Sequence, residues 1–278
     1  MRHWLLIGIT LIFISGCSSK FAYNNLDWLV YWYVDDYIEL TDQQESIFDE
    51  KLHDWLKWHR QQELAVYVEH LQLVKQTALG SELTPEQITA QIDIAQQHWE
   101  RLRDRLVPEL ANMATTLSDE QVVYLFAALE KENQKREEKR AELTDEERLE
   151  QRQDDLVEDV EEMIGRLTDE QEQIVMLYAP SYQSSYEDWI AYRRTVQQAA
   201  RSLFAGRKEN PNFVQDLQAL MLAPEQFRSE RQLEVQEHNR RLYSTMIAEI
   251  HSTLTDKQKR KLAKEISAII ADLEDLMS

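Results

Sequence analysis

The residues best equipped for chemistry stand together in Trp58-His59-Arg60-Gln61-Gln62-Glu63. On a regular helix His59 and Glu63 are i and i+4 neighbours, so the carboxylate would hold the imidazole protonated, while Arg60 points roughly 100° away. Asp35 and Asp36, with Tyr37 beside them, approach the same surface if the first helix folds back. A histidine, an arginine and several carboxylates serve equally as an interhelical salt-bridge cluster or as a binding or catalytic pocket. Spacing alone leaves both readings open.

Other chemistries are excluded by their own requirements. A helical di-iron site needs two Glu-x-x-His pairs and two further glutamates on facing helices, and only Glu50-Lys51-Leu52-His53 fits. No H-E-x-x-H or G-x-S-x-G is present, and a glycosidase pair is defined by a distance rather than a spacing. No metal or cofactor is expected from the sequence, and no catalytic residue is assigned. Its 278 residues hold only 5 Gly and 5 Pro, so no glycine loop that cradles phosphate can be written. An all-β fold would need turn residues every 8 to 12 positions. Long helices joined by tight corners remain.

The elements that position these residues begin after a leader. Met1-Arg2-His3, an apolar run from Trp4 to Ile14 and Ser15-Gly16-Cys17 form a basic, apolar and small-residue series of secretory type, too short to span a bilayer. Ile14-Ser15-Gly16-Cys17 also resembles the bacterial lipobox, which implies acylation of Cys17, the only cysteine, and removal of residues 1–16. Several acyl chains make such attachment effectively permanent. Ser18 rather than Asp after the cysteine implies the outer membrane's periplasmic face. Residues 17–23 then read as a short lipidated tether, and 24–278 as a single helical domain.

Trp28, Tyr31, Trp32, Tyr33 and Tyr37 follow the tether closely. They fit the core side of an amphipathic first helix, an interfacial belt at the head-group level or a ligand site, with core packing favoured by helical spacing. The formal net charge is −20, and losing the leader removes one base and no acid. Such a field repels nucleic acid and suits basic, neutral or cation-bearing partners.

One word recurs: Leu40-Thr41-Asp42-Gln43-Gln44, Leu83-Thr84-Pro85-Glu86-Gln87, Leu117-Ser118-Asp119-Glu120-Gln121, then again at Leu143, Leu167 and Leu254, with a degenerate copy at Leu222. A hydroxyl followed three residues later by Gln or Glu is a capping box, so each word marks a helix start. The intervals are irregular, which excludes a solenoid array. Apolar stripes at helical spacing follow, one through Phe48, Leu52, Trp55, His59, Tyr67 and His70, the last through Leu262, Ile266 and Leu273. Residues 130–162 carry 15 acids against 7 bases and read as a charged helical arm held by i,i+4 pairs. Pro108 and Pro180 fall inside apolar patterns, where bends are expected. The spacing predicts an all-α, elongated bundle of eight or nine helices.

Two resemblances add to this. The lipobox, Tyr23-Asn24-Asn25-Leu26-Asp27-Trp28, Trp32-Tyr33, Asp35-Asp36-Tyr37, the Leu40-Thr41 cap and Trp58-His59-Arg60-Gln61-Gln62-Glu63-Leu64 resemble the proteobacterial lipoproteins grouped as domain of unknown function 6279. Asn239 and Leu254-Thr255 are later marks. That resemblance implies the envelope address and the helical body, and it brings no activity or catalytic residue. The L-T-x-x-Q word is similar, five residues at a time, to small periplasmic chaperones of the Spy and CpxP type. The functional expectation is a lipid-anchored, non-enzymatic protein-binding or envelope scaffold. The alternatives are a Spy-like chaperone or stress sensor, and an envelope hydrolase.

Overall fold

The computed structural model describes residues 17–278, and residues 1–16, read above as a leader, lie outside the described residues. Among the described residues there is no strand. The helices are α1 (Cys17–Asn24), α2 (Leu26–Asp35), α3 (Asp42–Trp58), α4 (Leu64–Ala78), α5 (Pro85–Met113), α6 (Asp119–Ala141), α7 (Asp145–Ile164), α8 (Asp169–Tyr178), α9 (Tyr186–Ala205), α10 (Phe213–Leu222), α11 (Glu230–Ser252) and α12 (Asp256–Met277). A π turn at His59–Glu63 joins α3 to α4 without a break. The helices outnumber the eight or nine expected, because the aromatic N-terminus divides at Asn25 and a π turn separates α3 from α4 within one apolar stripe. None of the described helices is long and apolar enough to cross a membrane.

Complete capping boxes open α3, α5, α6, α7, α8 and α12 at Thr41, Thr84, Ser118, Thr144, Thr168 and Thr255. The degenerate word at Leu222 has Ala223 where the hydroxyl belongs and opens only a 3-10 turn. Ser229 caps α11 instead.

Four of these words have a second role, because their glutamines join helix starts in pairs. Gln44 Nε2 donates to Gln121 Oε1 at 3.1 Å, and Gln121 Nε2 returns to Gln44 Oε1 at 2.7 Å. Each also donates to the carbonyl just before the other's word, Gln44 to Thr116 and Gln121 to Glu39. Gln171 and Gln258 repeat the arrangement at 3.1 and 2.7 Å, with Thr253 and Arg166 as the carbonyls. Burying an amide without partners is costly, and here each buried amide is matched by its counterpart.

Three apolar clusters form the interior. The largest joins α4, α7, α8, α11 and α12 through Leu64, Val160, Val175, Met246, Ile250 and Ile266. A second joins α5, α6, α9 and α10 around Phe126, Phe204 and Phe213. A third sets Phe48, Leu52 and Trp55 of α3 against Val30, Tyr31 and Val34 of α2.

The charge-rich stretch at 130–162 is not one solvated arm. Its helix stops after Ala141 and restarts at the Thr144 cap. Leu156 and Val160 then enter the largest cluster, while Arg194 of α9 bridges Glu130 and Glu137 at 2.9 and 2.8 Å. Asn133, fully buried, accepts from Arg193 and donates to Gln197. Apolar residues at helical spacing need a cover, and Glu130 and Glu137 find their partner on α9. Pro108 lies inside an uninterrupted α5, whereas Pro180 sits in the 3-10 turn that ends α8. Gly165 ends α7 at φ 83°, a conformation that L side chains rarely adopt. Beside it the Lys261 ammonium reaches the Glu162 carbonyl at 2.8 Å, at the negative end of the helix dipole.

The segment read as a tether is helical. Lys20 of α1 pairs with Asp272 at 3.2 Å and with Asp275, which lays α1 against the end of α12.

Candidate functional site

The π turn begins at His59 and ends at Glu63. Its residues, His-Arg-Gln-Gln-Glu, interrupt the apolar stripe between Trp58 and Leu64. The Leu64 amide donates to the His59 carbonyl, five residues back instead of four, so one extra residue is taken into the turn. The i,i+4 stacking expected of His59 and Glu63 is thereby lost.

Their partners come from other helices. Arg101 of α5 donates through Nε to both Glu63 oxygens, at 3.0 and 3.3 Å, and the Glu63 carboxylate is almost fully buried. His59 lies between two tyrosines: Tyr23 Oη is 2.9 Å from its Nδ1 and Tyr67 Oη is 3.3 Å from its Nε2. Burial pushes His59 down to about 4, so it is neutral near pH 7 and is not the carboxylate-held imidazolium expected from the sequence. Burial raises Tyr67 to about 12, with the Glu63 charge adding to the effect. Both hydroxyls therefore keep their protons.

A second chain continues from Tyr67, whose ring lies 4.6 Å from that of His98 on α5. His98 Nε2 is 2.8 Å from His70 Nδ1, and His70 Nε2 is 3.1 Å from Gln91 Oε1. Arg101 also contacts His98 Nδ1. A guanidinium can only donate, so His98 Nδ1 accepts and its proton sits on Nε2, facing His70. His70 then accepts at Nδ1 and donates from Nε2 to Gln91. Every position in this series is filled by neutral rings, and an added proton would set N–H against N–H. Burial lowers both histidines, His98 to about 4, with His70 and Arg101 adding to the effect there.

The candidate residues from the sequence separate into two groups. Trp58, His59, Arg60 and Glu63 lie at the π turn. Arg105 stacks over Trp58 at 6.0 Å, and Arg60 donates to Asn24 at 3.0 Å while covering the Tyr23 ring at 5.4 Å. Asp35 and Asp36 lie at the far end of α2, exposed to solvent, and are not joined to His59 by a hydrogen bond or ion pair. Tyr37 packs its ring 5.1 Å from Tyr33, and burial raises its hydroxyl to about 12. Trp28, Trp32 and Tyr33 are 65%, 62% and 61% exposed, which corrects the expectation that these rings fill the core. Only Tyr31 packs against a buried cluster, itself partly buried, edge-on to Phe48 at 5.3 Å with its hydroxyl donating to Asp49.

Sequence reasoning missed Tyr23, Tyr67, His70, Gln91, His98 and Arg101 as members of the cluster. Tyr67 and His70 stood in the apolar stripe without a polar role, and no local spacing joins α5 to α4. The break in apolar residues at Arg60-Gln61-Gln62 was the one signal of the π turn.

Two surface depressions, of about 410 and 650 Å³, lie elsewhere. The first runs between Lys75 and Ser267, the second beside Arg231 and His238, and neither is lined by the histidine chain. Among the described residues no group of three or more His, Cys, Asp or Glu is placed to hold a metal ion. The arrangement at the π turn does mechanical work: it locks α1 to α4 and α4 to α5.

Residues 36–232 match the model of a family of unknown function, domain of unknown function 6279. The match takes in the π turn, His70, His98 and Arg101, while Ile14-Cys17, Tyr23-Trp28, Trp32-Tyr33, Asp35, Asn239 and Leu254-Thr255 fall outside it. No curated protein and no solved structure matches the chain. With well over half its length matched, and with the Trp58-Leu64 motif forming the π turn at the centre of the cluster, the chain belongs to this family of unknown function.

Proposed function

We propose that this protein is a lipid-anchored envelope protein, facing the periplasm from the outer membrane, that acts without catalysis as a protein-binding or scaffolding body. The carrying observation is the hydrogen bond from α1 to the π turn. Tyr23, six residues after the lipobox cysteine Cys17, is fixed to His59, so the anchor-bearing segment is part of the folded body and sets how that body stands on the membrane. The groups best suited to catalysis support the same reading, since His59, His70, His98 and Glu63 are engaged with protein partners. Partners would meet an acidic surface, which suits a basic or neutral protein. The paired L-T-x-x-Q glutamines are used in helix joints, which accounts for the words without a client-binding role.

The test combines Cys17→Ser with crosslinking in intact cells. Mass spectrometry of the wild type should show acylated Cys17, the variant should leave the membrane fraction, and crosslinks should join the wild type to envelope proteins. An unmodified Cys17, or turnover of an envelope substrate by the purified protein, would overturn the proposal. Suppression of client aggregation at stoichiometric amounts would assign the chaperone role instead.

A further inference from the structure

We infer that the exposed aromatic face of α2 is a bilayer contact: Trp28 and Trp32 seat in the head-group layer of a zwitterionic membrane beside the anchored Cys17. This rests on the proposed acylation of Cys17 and adds a second point of attachment. One face of α2 packs Val30, Tyr31 and Val34 against Phe48 and Trp55. Its other face leaves Trp28 and Trp32 more than 60% exposed as i,i+4 neighbours.

Continuity with the anchor identifies the occupant. Residues 17–35 are helical save for Asn25, and at 1.5 Å per residue Trp28 lies within about 17 Å of Cys17 along the chain. The attachment does not swing freely, because Tyr23 is bonded to His59, Arg60 to Asn24 and Lys20 to Asp272. A cysteine held at the bilayer surface by acyl chains therefore keeps the rings near that surface. Trp and Tyr favour this layer because the ring is apolar and its N–H or O–H remains hydrated. Charge selects the lipid. α2 carries Asp27 and Asp35 and no base, with Asp36 next to it, so an anionic surface is disfavoured and phosphatidylethanolamine or phosphatidylcholine fits.

The test uses the mature acylated protein in phosphatidylethanolamine and phosphatidylcholine vesicles containing lipid with brominated chains, which quenches nearby tryptophan. The W28F/W32F double variant keeps aromatic rings on α2 but removes the two reporters. Quenching of the wild type that falls at least twofold in W28F/W32F is the expected result. Protein that floats with the vesicles but is unquenched, or is quenched equally in both forms, overturns the inference and leaves the anchor intact. A crosslinked dimer in that unquenched state assigns the face to a second copy. Protein that neither carries acyl groups nor floats removes the anchor and the inference together.

Discussion

Tyr23 Oη lies 2.9 Å from His59 Nδ1, joining α1 to a turn 36 positions later in the chain. The opposite nitrogen of the same ring faces Tyr67 on α4. A neutral imidazole offers one donor and one acceptor, so with two tyrosines it is satisfied on both edges. Combining Tyr23→Phe with His59→Leu in a double-mutant cycle should give a coupling of about 1 kcal/mol. Urea denaturation of the four proteins measures it, and additive losses would mean that the contact contributes nothing.

Glu63 and Arg101 should respond unequally. The carboxylate is nearly fully buried, whereas the Arg101 side chain is about a third exposed. Arg101→Met leaves a buried charge without its partner and should cost about 3 kcal/mol. Glu63→Gln leaves a guanidinium that water can reach and should cost about 1 kcal/mol. Thermal unfolding at pH 7 ranks the two variants.

Acid should weaken the fold through its histidines. Burial holds His59 and His98 near 4 in the folded protein, whereas an unfolded chain takes these protons at about 6.5. Between those values the unfolded state binds more protons, so their contribution is intact above about pH 6.5 and is lost as pH falls towards 4. For His59 the loss amounts to about 3 kcal/mol across that window; the more exposed His98 adds less. Unfolding midpoints between pH 7.5 and 4.5 should fall more steeply in the wild type than in His59→Leu.

The paired glutamines give a test of how the helix starts are joined. Gln171 is fully buried and Gln258 nearly so, each donating to and accepting from the other. Gln171→Leu takes the acceptor from one Gln258 N–H and the donor from the Thr253 carbonyl, at a cost of about 2 kcal/mol. The double substitution to Leu should cost less than the sum of the singles, because the second removes a group that the first left stranded. Gln87→Leu, at an exposed cap without such a partner, should cost about 1 kcal/mol or less.

Helix starts were legible because a capping box is local: Thr41, Thr84, Ser118, Thr144, Thr168 and Thr255 each sit where their words place them. The pairing of Gln44 with Gln121 was not, since a side chain that satisfies its own cap gives no sign of a second partner 77 residues away. The same limit hid the cluster. His59, Arg60 and Glu63 were found as chemistry-bearing residues, but a regular helix would have paired His59 with Glu63, and the π turn gave them to Tyr23 and Arg101 instead. Trp28 and Trp32 have the spacing of a core face, and only the packing of Tyr31 and Val34 shows that α2 turns its other side inward.

Hydrogen exchange of α1 tests most directly whether His59 fastens that helix to the body. The amides of Phe21 to Asn24 should be protected in the wild type and exchange about fivefold faster in His59→Leu, with α12 unchanged. Unaltered protection of α1 in the variant, or equal loss from every helix, would contradict the account.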